Sequence, residues 1–238
     1  MAVTQGIPLR LQPPKIALIH ATALAMAPVA AAFDDLWPQV QRMNLLDDRL
    51  SQDLALADVL DDAMVTRFHD LAGYAKRCGA DAILFTCSAF GPAIESVKKA
   101  IGLPTLNPNE AMFDEALALC RALSQPAGQT ARIGLLTTFG PSAAPLIEEL
   151  GVAARLQRVD IAVDAACATG AMEQLNAGDV AAHDHMVAQH AKTLAHCDVV
   201  MLGQFSMARA QHAVAQNCHK PVLTSPSSAV RRLRQLLV

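Results

Sequence analysis

The sequence predicts an α/β fold made of two similar units, each built around an open parallel sheet. Short apolar runs typical of buried strands alternate with longer stretches in which apolar residues recur every three or four positions. Such alternation is typical of parallel sheets covered by helices on both faces. Several strand-like runs also recur at one constant distance along the chain, which indicates an internal duplication.

The first predicted strand is KIALIH at residues 15–20, and RIGLLT at residues 132–137 is its counterpart in the second unit. Each begins with a basic residue, continues as a β-type apolar run and ends on a polar residue. Residues 1–14 are interpreted as a loose leader. A signal peptide is not favoured, because His20 and Thr22 interrupt the apolar region.

Two further pairs of segments repeat in the same way. DAILFTC at residues 81–87 matches DVVMLGQ at residues 198–204, and LPTLNPNEAM at residues 103–112 matches KPVLTSPSSA at residues 220–229. All three pairs are separated by 117 residues without a gap. Three ungapped matches at one offset are strong support for a chain made of two copies of one unit.

Helical stretches connect these strands. Residues 61–80 and 181–197 both carry apolar residues at spacings of three and four. The segment SQPAGQTA at residues 124–131 is the predicted join between the two units. Four histidines in the second stretch are interpreted as part of a solvated face, because on a helix positions 183 and 185 point about 200° apart and cannot share a metal. They are His183, His185, His190 and His196.

Composition excludes several classes of function. The 238 residues carry a net charge of −3, and the pI is about 6.2, so nothing favours nucleic acid or a membrane surface as a partner. No apolar run reaches the roughly 20 residues of a membrane span. We therefore expect a cytoplasmic protein with a small-molecule partner.

The six cysteines are predicted to form neither a disulfide scaffold nor a zinc site, since no CxxC pair occurs. Buried free cysteines are usually small hydrophobic residues, so only position can single one out. Cys87 is singled out because it follows a predicted strand. Cys167 also follows one and can face a cleft, whereas a structural role is predicted for Cys78, Cys120, Cys197 and Cys218.

In open parallel sheets ligands bind beyond the carboxyl ends of the strands. The residues at those positions form a polar set that is rich in hydroxyls and nearly uncharged. His20 can either bind a substrate anion or be a satisfied histidine at the strand end. The set comprises His20, Ala21, Thr22, Cys87, Ser88, Asn107, Asn109, Thr137, Thr138, Ser142, Gln204, Phe205, Ser206, Thr224 and Ser225.

Cys87 is predicted to lie where a strand turns into a helix. Unpaired N–H groups and the helix dipole at such a position lower the pKa of a thiol and also bind carboxylates. A thiolate beside a carboxylate suits proton transfer at the adjacent carbon, and Cys87 is then expected to alkylate rapidly at neutral pH. The alternative is a buried cysteine that fills the strand end.

The segments ILFTCSAFGPAIE and PTLNPNEAM, together with the duplication, resemble the aspartate/glutamate/hydantoin racemase superfamily. That superfamily also contains arylmalonate decarboxylases and maleate isomerases. The resemblance runs from Lys15 to the end of the chain. It implies two α/β domains that face each other across a cleft, with no cofactor and no metal. It also implies one catalytic cysteine from each half, on opposite faces of the substrate.

The resemblance implies a domain division in which the C-terminal segment packs back on the first domain. We expect an N-terminal domain of residues 1–104 plus 222–238 and a C-terminal domain of residues 105–221. Since dimers are common in the superfamily, a homodimer or higher homo-oligomer is expected.

The sequence departs from the superfamily pattern at the second cysteine. The first matches Cys87, but the second position is Gln204, whose amide does not titrate. Arylmalonate decarboxylases also keep a single thiol, in the other half. The prediction is therefore an isomerase that transfers a proton at the α-carbon of a small carboxylate or amino-acid-like substrate. The alternatives are a one-thiol decarboxylase or lyase, and a binding protein that has lost catalysis.

Two residues are predicted to act in catalysis, Cys87 as the proton-transfer residue and Gln204 as a hydrogen-bond donor to a carbonyl or carboxylate. Eight others are predicted to bind the substrate. They are Thr22, Ser88, Thr137, Thr138, Asn107, Phe205, Ser206 and Thr224.

Overall fold

The computed structural model describes residues 12–124 and 130–238. Nearly all of the predicted leader at residues 1–14 lies outside these ranges, as does most of the predicted join at residues 124–131. Within the described part of the chain, no helix combines the length and apolar character that a membrane span requires.

Among the described residues, the first half contains four strands and five α-helices. They are β1 (Lys15–His20), α1 (Met26–Leu36), β2 (Gln41–Leu46), α2 (Arg49–Ala57), α3 (Asp62–Arg77), β3 (Ala82–Phe85), α4 (Gly91–Ile101), β4 (Thr105–Leu106) and α5 (Glu110–Ser124).

The second half repeats this plan with four more strands and five more helices. They are β5 (Ala131–Thr137), α6 (Ala143–Gln157), β6 (Ile161–Cys167), α7 (Ala171–Asn176), α8 (Val180–His190), β7 (Val199–Leu202), α9 (Gln211–Cys218), β8 (Val222–Thr224) and α10 (Ser225–Leu237).

The strands form two separate parallel sheets of four, ordered β2-β1-β3-β4 and β6-β5-β7-β8. The prediction of an α/β fold with two duplicated parallel sheets is confirmed. Equivalent strands are even paired in the same register. Ile16 lies opposite Ala82 in the first sheet, and the residues 117 positions later, Ile133 and Val199, lie opposite each other in the second.

Each sheet is buried on both faces, as the continuous apolar runs of its central strands require. On one face of the first sheet, Ile19 and Phe85 pack with Phe68 of α3 and Ile94 of α4. The opposite face packs against α1, where Phe33 is fully buried. The second sheet is covered by α8 and α9 on one face and by α6 on the other.

The last helix of each half covers the sheet of the other half. Helix α5 follows β4 of the first sheet, yet Met112 and Leu117 pack against β5 and β7 of the second. Helix α10 follows β8 of the second sheet, yet Val230 and Leu233 pack against the first sheet. Neither sheet therefore has a complete core without a helix from the other half.

Two strands, β4 and β8, belong to the opposite unit from the one in which the expected domain boundaries put them. Strand β4 pairs with β3 in the first sheet, although it falls within the expected C-terminal domain. Strand β8 pairs with β7 in the second sheet, although it falls within the expected N-terminal domain. Each strand completes the edge of its own sheet before the chain crosses, so the crossings follow β4 and β8.

The interpretation of one histidine on α8 was wrong. His183 is fully buried, and its Nδ1 lies 2.8 Å from Asp184 Oδ1. Its Nε2 has no hydrogen-bond partner among the described residues. The sequence of α8 contains too few apolar residues to show which face of the helix is buried. His185 and His196 are exposed, as expected.

Candidate active site

A cleft of about 180 Å³ lies at the carboxyl ends of the strands of both sheets. Both halves of the chain contribute to it, and the residues contributed by β3 and β7 are equivalent in the duplication. The cleft is lined by Thr22, Leu24, Ala25, Thr86, Cys87, Ser88, Pro108, Asn109, Gly203, Gln204, Phe205 and Ser206.

Cys87 and Gln204 have the same local structure. Each follows a buried strand in extended conformation, with φ of −130° and −129°, and each is the N-terminal cap residue of a short 3-10 turn. The turns are Ser88–Phe90 and Phe205–Ala210. The predicted catalytic pair is thus brought together in one cleft, at positions related by the repeat.

The surroundings of Cys87 differ from the expectation in one respect. Burial raises the pKa of the Cys87 thiol, and this is the largest effect. Hydrogen bonds from the Ala89 backbone N–H and the Ser51 hydroxyl lower the pKa and so offset part of the increase caused by burial. The sequence indicates only that Cys87 lies at a helix N-terminus, which lowers a thiol pKa, and not how the thiol is packed.

Ser51 was not predicted, and no repeat or motif identifies it. It lies on α2, and its hydroxyl, which has one proton, donates either to the carbonyl of Ala21 at 2.9 Å or to the Cys87 thiolate. Arg67 on α3 holds α2 in place through ion pairs with Asp47 and Asp53, the second at 2.7 Å. The helix that delivers Ser51 to the thiol is therefore fixed by charge pairing as well as by packing.

The Gln204 amide is held by three hydrogen bonds. Its Oε1 accepts from the backbone N–H of Thr138 at 2.9 Å and from the Thr138 hydroxyl at 3.3 Å. Its Nε2 donates to Ser142 Oγ at 3.0 Å. A primary amide has two N–H donors, so one of them is left for a ligand. Gln204 can donate a hydrogen bond into the cleft, but it cannot take a proton.

A glycine places Gln204 at this position. A Cβ on Gly203 would lie 3.0 Å from Thr137 Cγ2 and 3.1 Å from Leu146 Cδ1, which is closer than ordinary packing allows. The chain can therefore approach β5 closely just before Gln204. The equivalent residue in the first half is Thr86, whose side chain has a different role.

Thr86 lines the cleft, and its hydroxyl is hydrogen-bonded to His20. The ring of His20 is fully buried, with Nδ1 2.9 Å from Thr86 Oγ1 and Nε2 3.0 Å from Asn44 Oδ1. Burial lowers the pKa of His20, which favours the neutral ring. Of the two readings of His20, the structure supports the satisfied histidine at the strand end.

Four predicted substrate ligands line the cleft. Thr22 and Ser88 come from the first half, and Phe205 and Ser206 from the second. Thr22 also caps the turn that follows it, accepting a 3.4 Å hydrogen bond from the N–H of Leu24. Phe205 is only 7% exposed and belongs to the core formed by α1, α10 and the first sheet. It therefore joins the two halves as well as lining the cleft.

The structure places four other predicted ligands outside the cleft lining. Thr137 is fully buried, and Thr138 binds Gln204. Asn107 caps α5, accepting from the N–H of Glu110 at 2.8 Å, and Thr224 caps α10, accepting from the N–H of Ser227 at 3.3 Å. Cys167 pairs with Thr137 at the end of edge strand β6 and also lies outside the lining.

A larger groove of about 500 Å³ adjoins the cleft and shares Ser88, Pro108 and Asn109 with it. Its walls combine apolar side chains, among them Phe113 and Val152, with four carboxylates. These are Glu95, Glu110, Asp114 and Glu149.

Asn109 links the cleft, the groove and the two halves. It is 3% exposed, its Oδ1 accepts from Ser225 Oγ at 3.0 Å, and its side chain also bonds the Glu149 carboxyl. Asn109 was among the strand-end candidates, but only the fold shows that it meets Ser225 at the crossing of α5 and α10.

The cleft presents hydroxyls, two side-chain amides (Asn109 and Gln204) and one thiol. Of the described residues that line it, none is a histidine or a carboxylate, so it has few of the usual ligands for a divalent metal. The arrangement can bind a small carboxylate through neutral donors and move a proton through Cys87 from one side.

Comparison with known proteins agrees with this architecture. A family model described as Asp/Glu/Hydantoin racemase matches residues 20–233. A glutamate racemase from Bacillus anthracis is 13% identical with a TM-score of 0.66, covering 94% of this chain and 81% of that one. An allantoin racemase from Klebsiella pneumoniae is 14% identical with a TM-score of 0.67, covering 94% and 87%.

A mutant of arylmalonate decarboxylase in its sulfate-associated form is 19% identical with a TM-score of 0.62, covering 94% of this chain and 95% of that one. At these identities the likeness is one of fold. A comparison with curated proteins found no match.

Proposed function

The chain belongs to the Asp/Glu/Hydantoin racemase family, and on that basis we propose that it is a cofactor-independent enzyme that transfers a proton at the carbon next to a carboxylate. The observation that carries the proposal is the juxtaposition of Cys87 and Gln204 in one cleft at equivalent positions. One of these side chains can exchange a proton and the other can only donate hydrogen bonds. The chemistry is therefore one-base chemistry, with Cys87 as the catalytic residue.

In the isomerase form of this reaction, the Cys87 thiolate takes the α-proton of the substrate. The electron pair of the C–H bond moves into the carboxylate and gives an enediolate-like state. The thiol then returns a proton either to the same carbon, which gives exchange with retained configuration, or to a carbon conjugated with it, which gives the isomerised product. Ser88, Ser206 and Thr22 line the cleft and can donate hydrogen bonds to the carboxylate as its charge grows. The remaining N–H of Gln204 supplies a fourth donor.

A decarboxylase is the second candidate, and the environment of Cys87 favours it. Because burial raises the pKa of this thiol, the resting side chain carries its proton. When the bond to a leaving carboxylate breaks and CO2 departs, the electron pair remains as an enolate. Cys87 then donates its proton to carbon and recovers one from water. The likeness to an arylmalonate decarboxylase fold supports keeping this candidate beside the isomerase.

The groove next to the cleft indicates which chemical groups the substrate can carry. Four carboxylates line it, and Lys98 pairs with two of them, Glu110 and, at 3.4 Å, Glu95. A free carboxylate on the part of the substrate that extends into the groove would meet this negative charge. We therefore propose a substrate whose carboxylate chemistry lies in the cleft and whose remaining group, toward Phe113 and Val152, is neutral or apolar.

The test is proton NMR in D2O with aspartate, glutamate, substituted hydantoins, substituted malonates and maleate, combined with optical rotation. Exchange of the α-proton with retained rotation supports one-base proton transfer by Cys87, and CO2 release with a single deuterium incorporated supports the decarboxylase. Exchange with loss of rotation would require a second base and would contradict the role given to Gln204. Saturable binding of these compounds without exchange or CO2 release would support a binding protein.

A further inference from the structure

A second group of reactive side chains lies outside the cleft. Asp164 on β6 meets His196 and Cys197, which are adjacent in the chain just before β7. His196 Nε2 is 2.8 Å from Asp164 Oδ2, and Cys197 Sγ is 3.8 Å from the same oxygen and 3.7 Å from the imidazole nitrogen. No CxxC spacing marks this group, because two of its members are neighbours and the third comes from another strand.

The local structure leaves room for these three atoms to converge. Asp164 pairs in register with Gly134 of β5, and a Cβ on Gly134 would lie 3.3 Å from Cys197 Sγ and 3.1 Å from Leu194 Cβ. The absence of that Cβ allows the thiol to lie against the sheet. The Cys197 side chain is buried, whereas 54% of the His196 side chain is exposed. An ion can therefore reach the group from solvent past the imidazole.

We propose that Asp164, His196 and Cys197 form a binding site for Zn²⁺ or an ion of similar chemistry. A thiolate, an imidazole and a carboxylate are the ligand types that Zn²⁺ takes in proteins. With metal–ligand bonds of about 2.0–2.3 Å, tetrahedral coordination separates ligand atoms by about 3.3–3.6 Å. The two distances to Cys197 Sγ are near this range. The separation of imidazole and carboxylate must open by about half an ångström, which a half-exposed side chain can provide.

Binding replaces the thiol proton of Cys197, which leaves to water, by a metal–sulfur bond. A water molecule completes the fourth position. Arg132 competes with the ion, since its guanidinium pairs with Asp164 Oδ2 at 3.0 Å. Within the described chain Asp164 Oδ1 has no hydrogen bond, so Arg132 can shift to that oxygen when an ion takes the other.

The site is separate from the cleft. Residues 196 and 197 precede the amino end of β7, whereas Gln204 lies beyond its carboxyl end. A bound ion would tie the turn before β7 to edge strand β6 and would stabilise the second half. The inference does not depend on the proposed function.

Titration with Cd²⁺ tests this inference directly, because thiolate binding produces an ultraviolet charge-transfer band. We expect a band that saturates at one equivalent and that Zn²⁺ displaces. His196→Asn, at an exposed side chain, should weaken Cd²⁺ binding at least about tenfold while the circular dichroism spectrum is unchanged. Arg132→Gln should tighten binding, since it removes the competing cation. Excess Zn²⁺ should raise the Tm of the unmodified protein and not that of His196→Asn.

Cys78→Ser, Cys87→Ser and Cys167→Ser are the controls for the three half-buried thiols, and their bands should equal that of the unmodified protein. The inference is overturned if no stoichiometric band forms, if the band is lost in Cys87→Ser, or if His196→Asn binds Cd²⁺ as tightly as the unmodified protein. Since His196→Asn alters only an exposed side chain, the test does not depend on whether a variant of the buried Cys197 folds.

Discussion

Cys87 and Gln204 are separated by 117 residues in the chain, yet they line one cleft from equivalent positions in two halves of the same design. Both follow a central strand, and both cap a 3-10 turn. The difference between thiol and amide at these two positions decides which chemistry the cleft can perform.

Removal of the thiol should abolish turnover. Cys87→Ser keeps the shape of the side chain but replaces the thiol with a hydroxyl, which exchanges protons with carbon far less readily. We expect kcat to fall by about 10²–10⁴-fold while substrate binding is largely retained. Exchange of the substrate α-proton in D2O measures the effect. Cys78→Ser, at a half-buried cysteine outside the cleft, is the control, and an equal loss there would contradict the assignment.

A thiol at the second position should create two-base chemistry. Gln204→Cys restores the pair of cysteines expected from the superfamily, so loss of optical rotation should accompany exchange at the α-carbon. The change also removes the hydrogen bonds to Thr138 and Ser142, at a cost of about 0.5–1.5 kcal/mol each. Polarimetry on a single enantiomer follows the gain. Gln204→Ser lacks a thiol and should show no such gain, so racemisation by that variant would argue against the explanation.

The reactivity of Cys87 toward iodoacetamide should be low at neutral pH and should rise steeply with pH. Alkylation requires the thiolate, and burial raises the folded pKa above its ordinary value of 9.0. The rate in folded protein should therefore keep increasing above pH 9, at higher pH than in urea-unfolded protein. Peptide-level mass spectrometry gives this profile. This expectation is the opposite of the fast alkylation at neutral pH that the sequence predicts. If the rate profile of the folded protein lay at lower pH than that of the unfolded protein, the sequence prediction would be restored.

Ser51→Ala should move the same profile further. The Ser51 hydroxyl stabilises the thiolate, so its loss raises the pKa of Cys87 and shifts the alkylation curve to higher pH. Ser96→Ala on α4, whose hydroxyl bonds His69 at 2.9 Å, removes a comparable group elsewhere. The profile of Ser96→Ala should match that of the unmodified protein. Coincident profiles for all three proteins would show that Ser51 does not tune the thiol.

Gly203→Ala should disturb the second half of the cleft. The added Cβ would lie 3.0 Å from Thr137 Cγ2, so we expect a loss of about 1–3 kcal/mol in the free energy of unfolding and a displaced Gln204. Urea denaturation and substrate binding measure the two effects. Gly140→Ala is the matched control, because nothing lies within 4 Å of a Cβ added there. If the two variants were equally stable, the close approach at Gly203 would not matter.

The constant offset made much of this site predictable. It identified Gln204 as the partner of Cys87, and the structure retains the offset even in the register of Ile16 with Ala82 and of Ile133 with Val199. Ser51 escaped prediction because no repeated segment includes it and its contact with the thiol depends on how α2 packs. The pKa of Cys87 could not be read correctly for the same reason, since burial is a property of the assembled core.

The exchange of α5 and α10 also bears on the origin of the asymmetry between Cys87 and Gln204. A single unit with its own last helix would leave one face of its sheet only partly covered, so two such units would complete their cores by exchanging last helices. In that symmetric pair, both sides of the cleft would carry the same residue. Only after fusion into one polypeptide can selection change one side alone. The duplication that built the cleft therefore also freed it to hold a thiol on one side and an amide on the other.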